Sequence, residues 1–388
     1  MEQKETKKTI RAFAAASFLN DFGSDMIYPI WPLFVTTVFS TNMAVLGLID
    51  GLGDAIVSIS QAVSGYLSDK IRRRKVFIWT GYFFGSASRI GYAFSDIWQH
   101  VIPFRVLDRA GKIRAAPRDA AIADLSTDEN RGRNFGLLRT MDNLGALCGI
   151  IACIAFVWLF GLAQYKTLFL TAAIPSTIGA LLILIMIKER KPSAARLYKG
   201  LSFKDLSRNF RLFTMLSAIF ALGSFSYSFL LIFAENYGFS EAFVPILYLI
   251  FTASALLFSF PFGRLSDKIG RKTVLIVSYF LWGLVSLTFI LVQAYWAIVL
   301  TFVLYGMHKG AIDTVQKAFV SELAPIEFRA SSLGGFQLVV GICAFPSSLF
   351  AGLLWVSFGV FAPFYFSLAM TVLSALMLVF VRENRGKS

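Results

Sequence analysis

Three pairs of ionisable residues stand out because each pair is spaced four residues apart inside a long apolar stretch. They are Asp21 and Asp25, Asp50 and Asp54, and Arg105 and Arg109. Residues four apart share one face of a helix, so the members of each pair are expected to lie side by side. Two neighbouring carboxylates in a medium of low dielectric constant repel, which favours keeping a proton on one of them, as a proton carrier requires. Two neighbouring guanidinium groups present N–H forks that match carboxylate or phosphate oxygens.

These pairs and a few other residues give two sets of candidate functional residues. The set predicted to carry protons contains Asp21, Asp25, Asp50, Asp54 and Asp108. The set predicted to contact a polar or charged cargo contains Asp25, Tyr28, Arg105, Arg109, Tyr227, His308 and Lys309. A charge at the centre of a bilayer costs about 3 kcal/mol, so it is retained where it faces a cavity or a partner.

Several of these positions have a plainer structural interpretation. Asp21 and Asp50 lie nearer a helix end, where a carboxylate faces a hydrated vestibule or pairs locally. Asp25 and Asp54 instead form ion pairs between helices, with the two arginines as their partners. His308 serves as a hydrogen-bonded packing residue, which is the commoner role of a lone histidine inside a helix.

Twelve membrane-spanning helices are predicted to position these residues. Of the 388 residues, 56% are hydrophobic and 15% are charged, and apolar runs of about 20 residues recur along the chain. This composition excludes an ordinary soluble protein. The predicted helices are 13–38, 44–67, 75–95, 98–122, 134–159, 166–187, 212–236, 242–265, 273–293, 296–318, 331–356 and 361–381. Arg89, in the third of them, is expected to snorkel towards the membrane surface.

The net charge of +14 is interpreted as a signal of membrane orientation. The Lys and Arg residues between the predicted helices lie almost entirely in the chain ends and the even-numbered connections, which the positive-inside rule places in the cytoplasm. Both termini are therefore expected in the cytoplasm, and nucleic-acid binding is not predicted. Cys148, Cys153 and Cys343 fall inside predicted helices, out of register for a metal site. No metal, cofactor or disulfide is expected.

An internal repeat with an offset of about 198 residues relates the two halves of the chain. GYLSDKIRRRKVF (65–77) is repeated as GRLSDKIGRKTVL (263–275). Further matches are Asp124 with Glu322, Leu125 with Leu323, Glu129 with Glu327, Arg131 with Arg329, and Gly136 with Gly334. Six helices are therefore duplicated in the same membrane orientation, as parallel repeats. The predicted domains are 1–187 and 212–388, joined by a basic linker, 188–211.

The repeated loop resembles the G-x-L-a-D-r-x-G-r-k signature of the major facilitator superfamily. The first copy matches through Gly65, Leu67, Asp69, Arg73 and Arg74, and the second through Gly263, Leu265, Asp267, Gly270, Arg271 and Lys272. The first copy departs at Arg72, where the pattern has Gly. The resemblance implies that this loop is a conformational latch, with Asp69 and Asp267 as its acidic members. The alternative is that its charges only anchor the topology.

The resemblance also implies an all-α membrane protein of two pseudo-symmetric six-helix bundles, with a central cavity lined by helices 1, 4, 7 and 10. YPIWP (28–32) resembles the helix-1 pattern of the drug-exporting branch, and Arg105 and Gly111 take positions of its helix-4 pattern. GALCG (145–149) departs from that branch, because Ile150 follows where its helix-5 pattern has Pro.

The predicted function is secondary active transport of a small organic solute by a monomer in the bacterial inner membrane. Proton coupling is expected, with a slight preference for export of a drug-like or metabolite cargo. One alternative is proton-driven uptake of an anionic solute such as a carboxylate or a siderophore, and another is a non-transporting solute sensor. The chain has no Walker loop, nucleophile elbow or HExxH sequence, so an enzyme is not predicted.

Overall fold

The computed structural model describes residues 2–71, 73–127, 130–189, 206–324 and 329–383. Arg72, Glu129, Glu327 and most of the predicted linker lie outside the described residues, as does the side chain of Asp69. Within the described ranges the α-helices are α1 Glu2–Asp25, α2 Trp31–Leu33, α3 Met43–Ile71, α4 Lys75–Ala93, α5 Trp98–Ala110, α6 Ala115–Asp124, α7 Arg131–Phe160, α8 Tyr165–Met186, α9 Arg208–Gly223, α10 Tyr227–Asn236, α11 Val244–Ile269, α12 Arg271–Leu291, α13 Tyr295–Leu323, α14 Arg329–Phe358 and α15 Ala362–Val379.

Nine helical segments among the described residues are long and apolar enough to cross a membrane. They are Met43–Ser68, Arg131–Phe160, Leu162–Met186, Arg208–Asn236, Val244–Ile269, Arg271–Leu291, Tyr295–Leu323, Ser332–Phe358 and Ala362–Val379. The protein is therefore an all-helical, multi-pass membrane protein. The other three predicted helices, the first, third and fourth, correspond to α1 with α2, to α4, and to α5 with α6. Their charged residues lower their hydropathy, so the count of twelve spans stays a prediction.

The chain divides into two compact units. The first comprises Met1–Thr41 and Ile56–Leu197, and the second comprises Asn42–Ala55 and Tyr198–Ser388. The first part of α3 is thus counted with the second unit.

The first unit is built on four helix pairs. Helix α1 packs against α7 and α8, and α4 packs against α5 and α8. The contact between α1 and α7 is close because Gly145 and Gly149 face α1: a Cβ at Gly149 would lie 2.3 Å from the carbonyl oxygen of Phe22. Small residues at such positions let helix backbones approach within a membrane.

The second unit repeats the same pairs with the duplicated helices. Helix α9 packs against α14 and α15, and α12 packs against α13 and α15. Its core is rich in buried aromatic rings, which include Phe220, Phe225, Phe233, Tyr279, Trp282, Phe289 and Phe364. The shared set of helix pairs is the structural counterpart of the sequence repeat.

Three predicted helices are interrupted in the structure. The first breaks between Asp25 and Trp31, where Pro29 lies and just before Pro32, and the fourth passes through a 3₁₀ turn at Gly111–Arg114. The seventh breaks between Gly223 and Tyr227. Each break frees backbone groups from the regular helix ladder and places candidate site residues beside it.

Candidate functional site

Two arginines of α5 lie on aromatic rings from the first predicted helix. The guanidinium carbon of Arg105 is 4.0 Å from the ring centroid of Trp31, and that of Arg109 is 4.9 Å from the ring centroid of Tyr28. Arg109 Nη1 also donates a hydrogen bond of 3.3 Å to the Tyr28 hydroxyl. Only 2% of Arg105 is exposed. The structure therefore brings together three of the residues predicted to contact cargo.

Asp108 lies beside this pair of arginines. Its Oδ2 is 3.7 Å from Arg109 Nε, and 8% of the residue is exposed. A buried carboxylate at this distance stabilises the guanidinium and in turn depends on it, because either group left alone is costly to bury. Asp108 is thus positioned to compete with an anionic ligand for Arg109.

Arg89 of α4 does not snorkel outward as expected. It is buried, with 2% of the residue exposed, and its Nη2 donates to Ser24 Oγ at 2.7 Å and to the Asn20 carbonyl oxygen at 3.4 Å. Polar groups of α1 bind its guanidinium inside the unit, where α4 packs against α8. Arg89 therefore adds a buried positive charge to the first unit.

A second group of charges lies where α1, α6 and α7 meet. Arg114 Nη2 is 3.7 Å from Asp21 Oδ1, and Arg118 Nη1 is 3.4 Å from Asp142 Oδ1. Arg118 also donates to Ser17 Oγ at 2.7 Å. Asp21 thus has a cationic neighbour in the 3₁₀ turn Gly111–Arg114, and its predicted role as a proton carrier stays a prediction. The sequence predictions left Arg114 and Arg118 out, although they continue the basic series that begins at Arg105.

Asp50, a predicted proton carrier, binds two serine hydroxyl groups at the N-terminal end of α10 in the second unit. Its Oδ2 accepts hydrogen bonds from Ser226 Oγ at 2.7 Å and Ser228 Oγ at 2.5 Å. Both serines lie at the start of α10, and the Ser226 N–H donates to Ser348 Oγ. A carboxylate is favourable at a helix N-terminus because the exposed N–H groups carry partial positive charge. Asp50 therefore lies beside the break in the seventh predicted helix and joins two of its serines.

Lys309 has a carboxylate partner on its own helix in the second unit. Lys309 Nζ is 3.4 Å from Asp313 Oδ1, one turn along α13. The charge of Asp54 also acts on Lys309 and on Tyr305. Asp313 is absent from the sequence predictions, although its spacing of four from Lys309 marks it as a partner.

Tyr227 belongs to an aromatic group at the start of α10. Its ring centroid is 5.1 Å from that of Tyr248 and 6.4 Å from that of Phe251, and the Phe251 ring stacks on Tyr305 at 4.6 Å. Tyr248 and Tyr305 are buried, whereas Tyr227 and Phe251 are partly exposed. Aromatic rings of this kind can pack against an aromatic or amphipathic molecule.

His308 lies in the packed core of the second unit. It is 1% exposed, and its Nδ1 is 2.9 Å from both the Oγ and the carbonyl oxygen of Ser278. Its ring centroid is 5.4 Å from that of Trp282 and 5.7 Å from that of Phe220. This environment favours the packing interpretation of His308 over cargo contact.

In each unit, an arginine of the repeated basic loop binds acidic residues from later in the same unit. In the first unit, Arg74 pairs with Asp124, and its N–H donates to Glu189 Oε1 at 2.8 Å. In the second, Arg271 Nη1 is 2.9 Å from Glu322 Oε2, and its N–H donates to Glu383. We call these sets the first clamp (Arg74, Asp124 and Glu189) and the second clamp (Arg271, Glu322 and Glu383).

Arg74, and not Arg73, makes the contacts of the first clamp, and the latch role of Arg73 stays a prediction. Arg73 is exposed, and Arg74 makes the contacts that Arg271 makes in the second unit. The reason is loop length: three residues separate α3 from α4, whereas only Gly270 separates α11 from α12. Gly270 has φ of +101°, a conformation that a residue with a Cβ rarely adopts. Asp267 is exposed and lies 4.0 Å from Arg271.

The family model and the similar proteins point to the same family. The family model of the Major Facilitator Superfamily matches residues 13–234 and 212–388. An uncharacterised MFS-type transporter of Methanocaldococcus jannaschii is 36% identical over 386 residues, which cover 97% of this chain and 96% of that protein. The multi-drug resistance efflux pump PmrA of Streptococcus pneumoniae is 24% identical over 340 residues, 84% of each chain.

A solved structure extends this likeness to the fold. A mutant form of the nucleoside transporter NupG has a TM-score of 0.81 at 14% sequence identity, and the match covers 97% of this chain and 100% of that chain. A match at this identity supports the fold alone. The family model and the archaeal relative extend over nearly the whole chain. They establish the family, and the solved structure agrees with its fold. The chain belongs to the major facilitator superfamily and is a transporter.

Proposed function

We propose that the protein is a secondary active transporter of a small organic anion, which binds at Arg105 and Arg109. The observation that carries this proposal is the placement of both guanidinium groups on aromatic rings of the first predicted helix. Stacking uses the flat face of a guanidinium group, whereas carboxylate and phosphate oxygens bind to its in-plane N–H groups. Two arginines oriented in this way match a carboxylate or a phosphate ester.

Asp108 supplies a route for proton coupling at the same place. When Asp108 is ionised, its carboxylate competes with the cargo for Arg109, 3.7 Å away. When it is protonated, that competition is lost and the anion binds more tightly. Proton and anion then bind together, which favours cotransport down a proton gradient. Asp21, Asp25, Asp50 and Asp54 remain secondary candidates for carrying protons.

A competing candidate is export of a drug-like or metabolite cargo in exchange for protons. Two observations favour it: the aromatic group at Tyr227, Tyr248, Phe251 and Tyr305, and the similarity to a multi-drug resistance efflux pump. In this alternative the aromatic rings bind the cargo, and the carboxylates exchange protons with it. A non-transporting sensor would bind a solute without moving it.

The test is a thermal-shift screen of carboxylates, phosphate esters and cationic drugs at two pH values, followed by uptake in proteoliposomes. Replacing Arg105 and Arg109 together with Gln is expected to abolish binding of the anionic hit. Arg139→Gln is the matched control, because 73% of that arginine side chain is exposed. Wild-type anion affinity in the double variant would disprove the anion site, and binding of drugs alone would favour export.

The proposed orientation places both termini and the basic loops in the cytoplasm of a monomeric protein in the bacterial inner membrane. The excess of Lys and Arg on one side supports it. Single cysteines at exposed positions such as Arg139 and Tyr295, in a cysteine-free background, test it in intact cells. An impermeant maleimide is expected to label position 295 and to leave position 139 unlabelled.

A further inference from the structure

A groove of about 280 Å³ lies on the surface of α11 near its C-terminal end. It is lined by Pro261, Arg264, Leu265 and Lys268, all of which are exposed on that helix. The two cations are four residues apart and therefore share one helix face, with about 6 Å of axial rise between them. A phosphate group is small enough to contact both side chains at this spacing.

Neither cation of the groove forms an ion pair with the part of the chain that the structure describes. Among those residues, no carboxylate lies within salt-bridge distance of Arg264 or Lys268, in contrast to Arg271 two residues beyond the helix end. Arg264 lies instead over the ring of Phe260, with 5.5 Å between its guanidinium carbon and the ring centroid. The positive charge of the groove is therefore available to an external anion.

The same helix face continues away from the groove as an apolar surface. Phe260 is 71% exposed and Leu257 is 70% exposed. In a helix that crosses a membrane, exposed apolar side chains face lipid acyl chains. Towards the end of the helix this face thus changes from apolar to cationic. An anionic phospholipid has the complementary order, with apolar acyl chains followed by a negatively charged headgroup.

We propose that this groove is a binding site for an anionic phospholipid, with its phosphate on Arg264 and Lys268 and an acyl chain along Phe260 and Leu257. Anionic lipids are concentrated at the cytoplasmic surface, where the proposed orientation also places this end of α11. The headgroup contact fixes the end of α11 in the interfacial region, one residue before the Gly270 turn and the second clamp.

The first repeat provides an internal control. By the repeat offset, Lys70 corresponds to Lys268, but Tyr66 stands in place of Arg264 and Val63 in place of Pro261. Lys70 lies over the Tyr66 ring at 5.7 Å, so that position has one cation where the groove on α11 has two. The first repeat is therefore expected to bind an anionic lipid only weakly.

Native mass spectrometry of the purified full-length protein, with phosphatidylglycerol or phosphatidylcholine of the same acyl chains, tests the site. Wild-type protein is expected to retain phosphatidylglycerol preferentially, and the double variant Arg264→Gln with Lys268→Gln to bind it roughly thirtyfold more weakly. Lys70→Gln should retain wild-type lipid affinity. The double variant Arg264→Lys with Lys268→Arg keeps both charges and should retain binding even if the neutral variant folds poorly.

Three outcomes would overturn the proposal. Equal retention of phosphatidylglycerol by the wild type and the neutral double variant would remove the role of the two cations. Displacement of the lipid by millimolar inorganic phosphate, or equal binding of phosphatidylcholine, would assign the groove to a soluble anion or to acyl chains alone. None of these measurements requires transport activity, so they remain informative whatever the cargo is.

Discussion

The two units have matching helix pairs but different interiors. Where α4 packs against α5, the first unit buries Arg89, Arg105 and Asp108. Where α12 packs against α13, the second unit buries Trp282 and His308 among aromatic rings. At these two corresponding helix contacts, the first unit buries charged side chains and the second buries aromatic rings. One packing scheme of helices therefore accommodates interiors of different chemistry.

Among substitutions in the second unit, Trp282→Ala is expected to have the largest effect on stability. The indole is fully buried, and its Nε1 donates to Ser367 Oγ at 2.8 Å. Its removal leaves a cavity and an unpaired hydroxyl, so the free energy of unfolding should fall by about 3–5 kcal/mol. Thermal unfolding in detergent measures this. Anion affinity of the folded fraction should stay at the wild-type value; a parallel loss would place the binding site in the second unit.

Arg118→Ala should destabilise the first unit by a similar amount, about 3–5 kcal/mol, because it leaves Asp142 buried without its closest cation. The double variant with Asp142→Asn should recover most of the loss. Unfolding measured across this double-mutant cycle gives the coupling energy. Additive effects would mean that the two side chains do not depend on each other, and that the buried charge of the first unit is not a structural network.

Gly149→Ala tests helix packing that is independent of charge. The added methyl group would lie 2.3 Å from the carbonyl oxygen of Phe22, so α7 must move away from α1 at a cost of about 1–3 kcal/mol. Gly136→Ala on the same helix is the control, because no atom lies within 4 Å of its added methyl group. The same unfolding temperature for both variants would contradict the close approach of these helices.

Asp108→Asn should change affinity more than stability. In the proposed mechanism, protonation of Asp108 frees Arg109 for the anion, so wild-type affinity should rise at a pH low enough to protonate this carboxyl group. The Asn variant mimics the protonated state and should bind the anion at high pH roughly tenfold more tightly than the wild type. Binding titrations at two pH values check this. An Asn variant with the wild-type pH dependence would move proton coupling to another carboxylate.

The helices were predictable because lipid imposes long, uniform apolar segments. Predicted helix 12, 361–381, corresponds to α15 at Ala362–Val379. The interruptions were not predicted, although Pro29 and Pro32 in YPIWP were a visible signal for the first. The 3₁₀ turn at Gly111–Arg114 has a weaker signal, because apolar periodicity continues through it.

The sequence predicted which residues form the candidate site but not which residues they contact. Spacing within one helix placed Arg105 and Arg109 on one face, whereas their rings, Trp31 and Tyr28, come from a helix more than 70 positions earlier. Local periodicity contains no information on which distant helix lies opposite. The same limit explains Asp50, whose serine partners follow it by 176 and 178 residues.

The first and second clamps join distant segments of the chain within each half. In each, one arginine ties the beginning of a helix to acidic groups located some 50 and about 115 residues further along the same half. Each clamp uses residues of its own half alone, so the closure of one half does not depend on side chains of the other. The interiors of the two halves can therefore differ without loss of either clamp.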